Sequence, residues 1–80
     1  MDNTNAAATE TLTISGITYN VLSSDTADMM ESRGLVNVAK MMREQGRTRE
    51  MFAKRPKGRK HFMIIEFACQ WGLSYHVIPC

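Results

Sequence analysis

The sequence has few of the residues that stabilise small domains by covalent or metal bonds. It contains two cysteines, Cys69 and Cys80, in 80 residues. Two cysteines are too few for the disulfide framework of a small secreted domain. The cysteines and the two histidines also lack the close CxxC or HxxxH spacing of zinc sites. We therefore expect neither a metal nor a cofactor.

Long hydrophobic runs are also missing. No segment approaches the roughly 20 apolar residues of a membrane-spanning helix. The start MDNTNAAATET has neither the basic nor the apolar region of a secretory signal peptide. The five glycines are scattered singly, so no phosphate-binding loop is indicated. These absences predict a protein of the reducing cytoplasm that has no membrane partner.

Residues that commonly catalyse reactions are few. A nucleophilic pair of Cys69 and His76 would require the last hairpin to bring the two side chains into contact. A thiol in an apolar strand is far more often a small buried hydrophobe. We therefore expect a protein without enzymatic activity.

The length of the chain predicts one small domain. Residues 1–10 are small and polar without periodicity, which indicates a disordered tail before a single domain over residues 11–80. A chain of this size buries only roughly 60% of the surface that its unfolded form exposes. With so small a core, we expect self-association, most simply a homodimer.

The stretch TLTISGITYNVL predicts the first hairpin. Apolar and polar residues alternate on both sides of Ser15-Gly16, which is typical of two strands joined by a two-residue turn. This turn sets Ile14 opposite Ile17 and Leu12 opposite Tyr19, so that apolar side chains share one face.

A helix is predicted next, from the capping candidates at residues 23–26 to about Gln45, before Gly46. Its apolar residues repeat at helical spacing and indicate one stripe against a sheet. Gly34 interrupts this pattern. It either permits close packing on the sheet or divides the helix into two pieces.

Three strands complete the predicted fold. Residues 47–54 read as an edge or half-exposed strand, and the turn Arg55-Pro56-Lys57-Gly58 leads into a strand over residues 60–68. A last strand follows the turn at residues 70–72. The order ββαβββ predicts an α+β fold, in which one helix packs across one face of an antiparallel sheet of about five strands. The run Phe62-Met63-Ile64-Ile65 is apolar on both faces, which favours a second subunit on the uncovered face.

Positive charge is concentrated around the turn at residues 55–58. Residues 47–61 contain seven Lys and Arg residues and one acid, whereas the formal net charge of the whole chain is only +2. A sign asymmetry of this kind indicates an anionic partner, although solvated surface charge explains it equally well. The predicted nucleic-acid-binding residues are Arg47, Arg49, Lys54, Arg55, Lys57, Arg59 and Lys60.

Aromatic and apolar residues near this hairpin are candidates for stacking on bases or for an interface, namely Trp71, Tyr75, Phe62 and Ile64. The sequence thus predicts a small non-enzymatic homodimer that holds DNA or RNA through a basic β-hairpin. An acidic protein surface would fit the same charge. The alternative is a protein–protein interaction module, such as a virion or assembly component or a small inhibitor of a host factor.

Overall fold

The computed structural model describes residues 10–80, which form five strands and two helices. The elements in chain order are β1 (Glu10–Ile14), β2 (Ile17–Thr26), α1 (Ala27–Ser32), α2 (Val36–Glu44), β3 (Arg47–Lys54), β4 (His61–Cys69) and β5 (Gly72–Pro79). The strands form one antiparallel sheet in the order β1-β2-β3-β4-β5. The α+β class is confirmed, but the predicted order with a single helix is wrong. Residues 1–9 of the predicted tail lie outside the described residues, and Glu10 belongs to β1.

The first hairpin has the predicted register. Ile14 pairs with Ile17 and Leu12 pairs with Tyr19. Ser15 and Gly16 both have positive φ, at 51° and 81°. Two left-handed residues in succession give the turn the twist of the strands that it joins, which explains why so short a connection is possible.

The helical region is divided at Gly34, which is one of the two alternatives that the sequence left open at this residue. The hydroxyl of Thr26 caps α1 by accepting a hydrogen bond from the Met29 amide at 3.2 Å. Helix α1 ends at Ser32. Two residues later, Gly34 has a φ of +87°, which redirects the chain into α2. The second helix therefore begins a new helical phase. Leu35 and Met41, assigned to the buried stripe of one long helix, are 45% and 40% exposed.

Strand β3 is an interior strand, so the edge alternative of the sequence prediction is wrong, whereas six of its eight residues are half-buried as the other alternative expected. It lies between β2 and β4, and its Met51 and Ala53 are fully buried. Charged residues at the start of the strand hide the alternation of apolar and polar residues in its sequence. Those residues form ion pairs within the protein, so they do not require an exposed edge.

The main core lies on one face of the sheet. Its buried members are Tyr19, Val21, Met51, Ala53, Phe62 and Ile64, and half-buried Leu12, Ile14, Tyr75 and Val77 pack against them. These ten residues come from all five strands, so the edge strands curl toward the same apolar cluster. A second, smaller cluster joins the two helices through Ala27, Ala39 and Met42.

The opposite face of β4 is also covered within the single chain. Ile65 points away from the main core, because it alternates with Ile64, yet it is only 7% exposed. The sequence argument that this strand leaves a large apolar face for a second subunit is therefore wrong for Ile65. The exposed large apolar residues of the described chain lie elsewhere, at the start of β2, in and between the two helices, in the turn before β5 and on β5 itself.

Candidate nucleic-acid interface

The basic loop, residues 54–60, connects the two central strands β3 and β4. Lys54 pairs with His61 at the base of the loop. The amide of Gly58 donates a hydrogen bond to the carbonyl of Arg55 at 3.1 Å, which forms the predicted turn with Pro56 in second position. Gly58 does not have a positive φ. The loop thus projects from two interior strands of the sheet.

Arg55 fastens the loop to the core. Its guanidinium carbon lies 5.7 Å from the centre of the Phe62 ring. Phe62 in turn meets Tyr19 edge-to-face, with ring centres 5.4 Å apart. A cation over an aromatic face is attracted by the negative charge of the ring face. This contact orients the loop while leaving Arg55 exposed to a ligand.

The cations of the basic loop have no carboxylate partner in the described part of the chain. Within residues 10–80, no ion pair involves Lys54, Arg55, Lys57, Arg59 or Lys60. All except half-buried Lys54 are exposed. Four of the five positive charges in these seven residues are therefore exposed, and no acid of residues 10–80 neutralises any of the five.

The four arginines outside the loop behave in the opposite way. Arg33 lies 2.5 Å from a carboxylate oxygen of Asp25, and Arg43 lies 2.5 Å from Asp28 and 2.8 Å from Glu31. The hydrogen bonds to Asp28 and Glu31 raise the pKa of Arg43. The acids of the described chain are thus largely occupied by arginines remote from the loop, and the positive field of the loop stays intact.

Two residues predicted to extend the binding surface have internal partners instead. Arg47 pairs with Glu50 at 2.9 Å, and both side chains are about one-fifth exposed, at 23% and 21%. Arg49 is 21% exposed and contacts two carboxylates. Displacing these partners would cost more than recruiting a free surface cation. We therefore do not propose Arg47 or Arg49 as phosphate contacts.

Arg49 belongs to a polar cluster on the core face of the sheet. It binds the carboxylate of Glu10 through both terminal nitrogens, at 2.7 and 3.0 Å, and its Nε lies 3.1 Å from Glu66. Glu66 is 5% exposed and also accepts hydrogen bonds from Thr48 at 2.7 Å and Tyr75 at 2.8 Å. The cluster therefore links both edge strands to the two central ones.

The cluster holds its acids in the ionised form. Burial raises the pKa of Glu66, but the hydrogen bonds from Thr48, Tyr75 and Arg49 outweigh it, and the pKa lies below its ordinary value. The Arg49 hydrogen bonds lower the pKa of Glu10. Burial and the hydrogen bond to Glu66 raise the pKa of Tyr75, so its hydroxyl acts as a donor. This arrangement is that of a structural ion network.

The sequence did not predict this cluster, although one signal for it was present. Glu66 is the single acid in the apolar run FMIIEF, and a buried acid requires partners. Thr48 gave no signal, because a β-bulge brings it there. The register of β3 on β4 shifts between Arg47 and Arg49, and the extra residue turns toward Glu66.

Two clefts border the basic loop. The larger, of about 620 Å³, separates it from the turn of the first hairpin and is lined by Gly16, Ile17, Thr18, Arg55, Pro56, Lys57 and Gly58. The smaller, of about 420 Å³, is lined by Arg55, Gly58, Arg59, Lys60, Phe62 and Pro79. Arg55 lies between them and contributes to both. Each cleft therefore combines cationic side chains with an apolar surface.

The aromatic candidates fall in different environments. Trp71 is 89% exposed in the turn between β4 and β5. Tyr75 is half-buried in the polar cluster, whereas Phe62 and Ile64 are core residues at 7% and 0% exposure. Only Trp71 of these four presents most of its side chain to a partner.

The last hairpin keeps Cys69 and His76 apart. In the last hairpin Cys69 pairs with Gly72, while His76 pairs with Ile65. Four residues along a strand separate them by roughly 13 Å, which is too far for proton transfer. Within residues 10–80, no three His, Cys, Asp or Glu side chains group as metal ligands. No helix in the described part of the chain has the length and apolar character to cross a bilayer.

Comparison with known proteins adds no relationship. No protein-family model, curated protein or solved structure matches this chain. The candidate site therefore rests on its own geometry and charge.

Proposed function

We propose that this protein is a non-enzymatic binding protein that holds nucleic acid through the basic loop, and that it acts as a homodimer. The observation that carries the proposal is the contrast between two sets of cations. The loop cations lack carboxylate partners among residues 10–80, whereas the arginines elsewhere are paired. Unpaired cations gathered on one loop attract a polyanion, since binding releases its condensed counterions.

The geometry of the loop favours a phosphate backbone over a single small anion. The cations are spread over seven residues and border two clefts rather than converging on one point. Phosphates in a nucleic acid recur at regular intervals, so neighbouring cations each meet one. The binding is expected to depend weakly on base sequence, because the contacts are to phosphates.

The test compares two double variants that lose the same charge. Lys57→Gln with Arg59→Gln removes two loop cations, and Arg33→Gln with Lys40→Gln removes two cations from the helical region. Affinity for a labelled single-stranded oligonucleotide and for a duplex is measured by fluorescence anisotropy. We expect the loop variant to bind about tenfold more weakly or worse, and the control to bind like the wild type. Equal losses in both variants would reduce the effect to net charge and contradict a site at the loop.

A second candidate function is a protein–protein interaction module. The observation that favours it is the exposure of Trp71 at 89% and of Leu73 at 56%, side by side at the outer edge of the sheet. Exposed tryptophan is enriched among residues that anchor interfaces. If the wild type binds neither oligonucleotide at low salt, this candidate replaces nucleic-acid binding.

A further inference from the structure

Strand β5 is an edge strand without the usual protection against pairing. It spans Gly72–Pro79, and β4 is its one neighbour within residues 10–80. Proteins commonly protect such edges with lysine, proline or a bulge. The strand has no Lys, Arg, Asp or Glu, its register on β4 is unbroken, and its one proline comes at the end.

The outward backbone groups of β5 follow from its pairing with β4. The Cys80 amide donates to the His61 carbonyl at 3.0 Å, which makes these two a hydrogen-bonded pair. Such pairs alternate along an antiparallel ladder, so Ile78, His76 and Ser74 also bond to β4. The N–H and C=O groups of the residues between them, Leu73, Tyr75 and Val77, therefore point outward from the sheet.

Exposed apolar side chains lie along the same edge. Trp71 is 89%, Leu73 56% and Ile78 40% exposed. Leu73 alternates in phase with Tyr75 and Val77, which pack against the main core. A strand added at this edge would thus extend the core over Leu73 as well as satisfy the outward backbone groups.

We propose that β5 pairs in antiparallel fashion with β5 of a second copy of this chain. Tyr75 lies opposite its own equivalent on the two-fold axis, and Leu73 lies opposite Val77 of the second copy. Each of the three resulting pairs exchanges two backbone hydrogen bonds, because all the residues involved have outward donors and acceptors. The two sheets then form one continuous antiparallel sheet.

A second copy suits this edge better than a different partner for two reasons. The spacing of outward groups is symmetric about Tyr75, so the strand is complementary to itself under a two-fold rotation. It also contains no Lys, Arg, Asp or Glu, so two copies approach without repulsion between such side chains. The opposite edge, β1, is shorter at five residues and contains Glu10.

This pairing has a consequence that rests on the proposed function. The register that sets Leu73 opposite Val77 also sets Trp71 beside Pro79 of the second copy. Pro79 lines the smaller basic cleft together with Arg55, Arg59 and Lys60. The smaller cleft of each copy thus gains Trp71 from the other copy. This tryptophan can stack on a base while the cations of the cleft hold phosphates.

The first test is the oligomeric state in solution. The wild type is expected to have twice the monomer mass of 9.1 kDa by sedimentation equilibrium. Leu73→Lys places a charge on the edge and should give a folded monomer. Met41→Lys, the same type of change at a 40% exposed site on α2, should remain a dimer. A wild-type monomer at submillimolar concentration, or a Leu73→Lys dimer, would overturn the proposal.

Amide hydrogen exchange locates the interface. The amides of Leu73, Tyr75 and Val77 should exchange slowly in the wild type and at least about tenfold faster in folded Leu73→Lys. A dimer in which these three amides exchange as quickly as exposed ones would overturn edge pairing. Trp71→Ala should weaken oligonucleotide binding at unchanged dimer mass. If the wild type forms this dimer but binds no oligonucleotide, edge pairing stands and the shared cleft is withdrawn.

Discussion

The hydroxyl of Tyr75 donates a hydrogen bond to Oε2 of Glu66 at 2.8 Å and ties the last strand to the most buried acid of the described chain. Glu66 also accepts from Thr48 and contacts Arg49, which holds Glu10 on the first strand. One carboxylate thus connects the edge strand β5 to the rest of the core face. The stability of that edge should depend on it.

The Tyr75 hydroxyl is therefore expected to stabilise the fold measurably. Tyr75→Phe should lower the free energy of unfolding by about 1.5 kcal/mol, the low end for a hydrogen bond to a charged group. Urea denaturation measures the loss. In a Glu66→Gln background the same change should cost less, because the charged acceptor has gone. A loss of the same size in both backgrounds would show that the hydroxyl acts independently of Glu66.

The ion network also predicts the response to acid. The pKa values of Glu10 and Glu66 both lie below the ordinary glutamate value of 4.5 in the folded protein. Their ionised forms therefore contribute stability above that pH, and this contribution is lost as the pH falls through the folded pKa values. The free energy of unfolding, followed by urea denaturation, should decline below about pH 4.5.

Two variants separate this network from other acids. Glu66→Gln should flatten the decline in acid, because one of the depressed carboxyl groups is removed. Glu44→Gln should leave the decline unchanged, since Glu44 is exposed and forms no ion pair within residues 10–80. A wild-type stability that stays constant between pH 6 and pH 3, or rises there, would contradict the lowered pKa values.

Two glycines should respond differently to replacement by alanine. Gly34 has a φ of +87° and open space around the position of a Cβ atom. Gly34→Ala should therefore destabilise through the backbone alone, by about 1–2 kcal/mol. Gly58 lacks a positive φ, and an added Cβ would lie at ordinary contact distance, 3.4 Å, from Arg55. Gly58→Ala should be close to neutral in chemical denaturation, and equal losses at both sites would count against the break.

The sequence was sufficient to predict the parts of the fold that depend on neighbouring residues. Alternation and the Ser15-Gly16 turn determine the first hairpin, and these are visible in neighbouring residues. The central position of β3 was missed because its charges are neutralised by residues distant in sequence, such as Glu10 and Glu66. Gly34 was recognised as a possible break, but whether it bends the chain depends on the packing of α1 on α2.

For the candidate site too, the features set by neighbouring residues could be predicted, and those set by distant residues could not. The loop and its cations follow from consecutive residues. The sequence contained no sign that Arg47 and Arg49 face internal carboxylates, because a bulge and a partner two strands away set their environment. The contrast between paired and unpaired cations is therefore a property of the fold.

Binding through the basic loop should depend strongly on salt. For single-stranded nucleic acid the slope of log affinity against log salt is roughly −0.7 for each phosphate neutralised. Losing two loop cations in Lys57→Gln with Arg59→Gln should make the slope shallower by roughly 1.4. The slope is measured by anisotropy titrations at several salt concentrations. A slope that is the same in wild type and variant would exclude these two residues as phosphate contacts.

The proposed function is tested most directly by titrating isotope-labelled protein with a short single-stranded oligonucleotide and following the backbone amides by NMR. The largest shifts should fall within residues 54–60 and on the clefts beside them, with little change in α1 and α2. An absence of shifts at low salt, or shifts centred on the helices, would contradict the basic loop as the binding site.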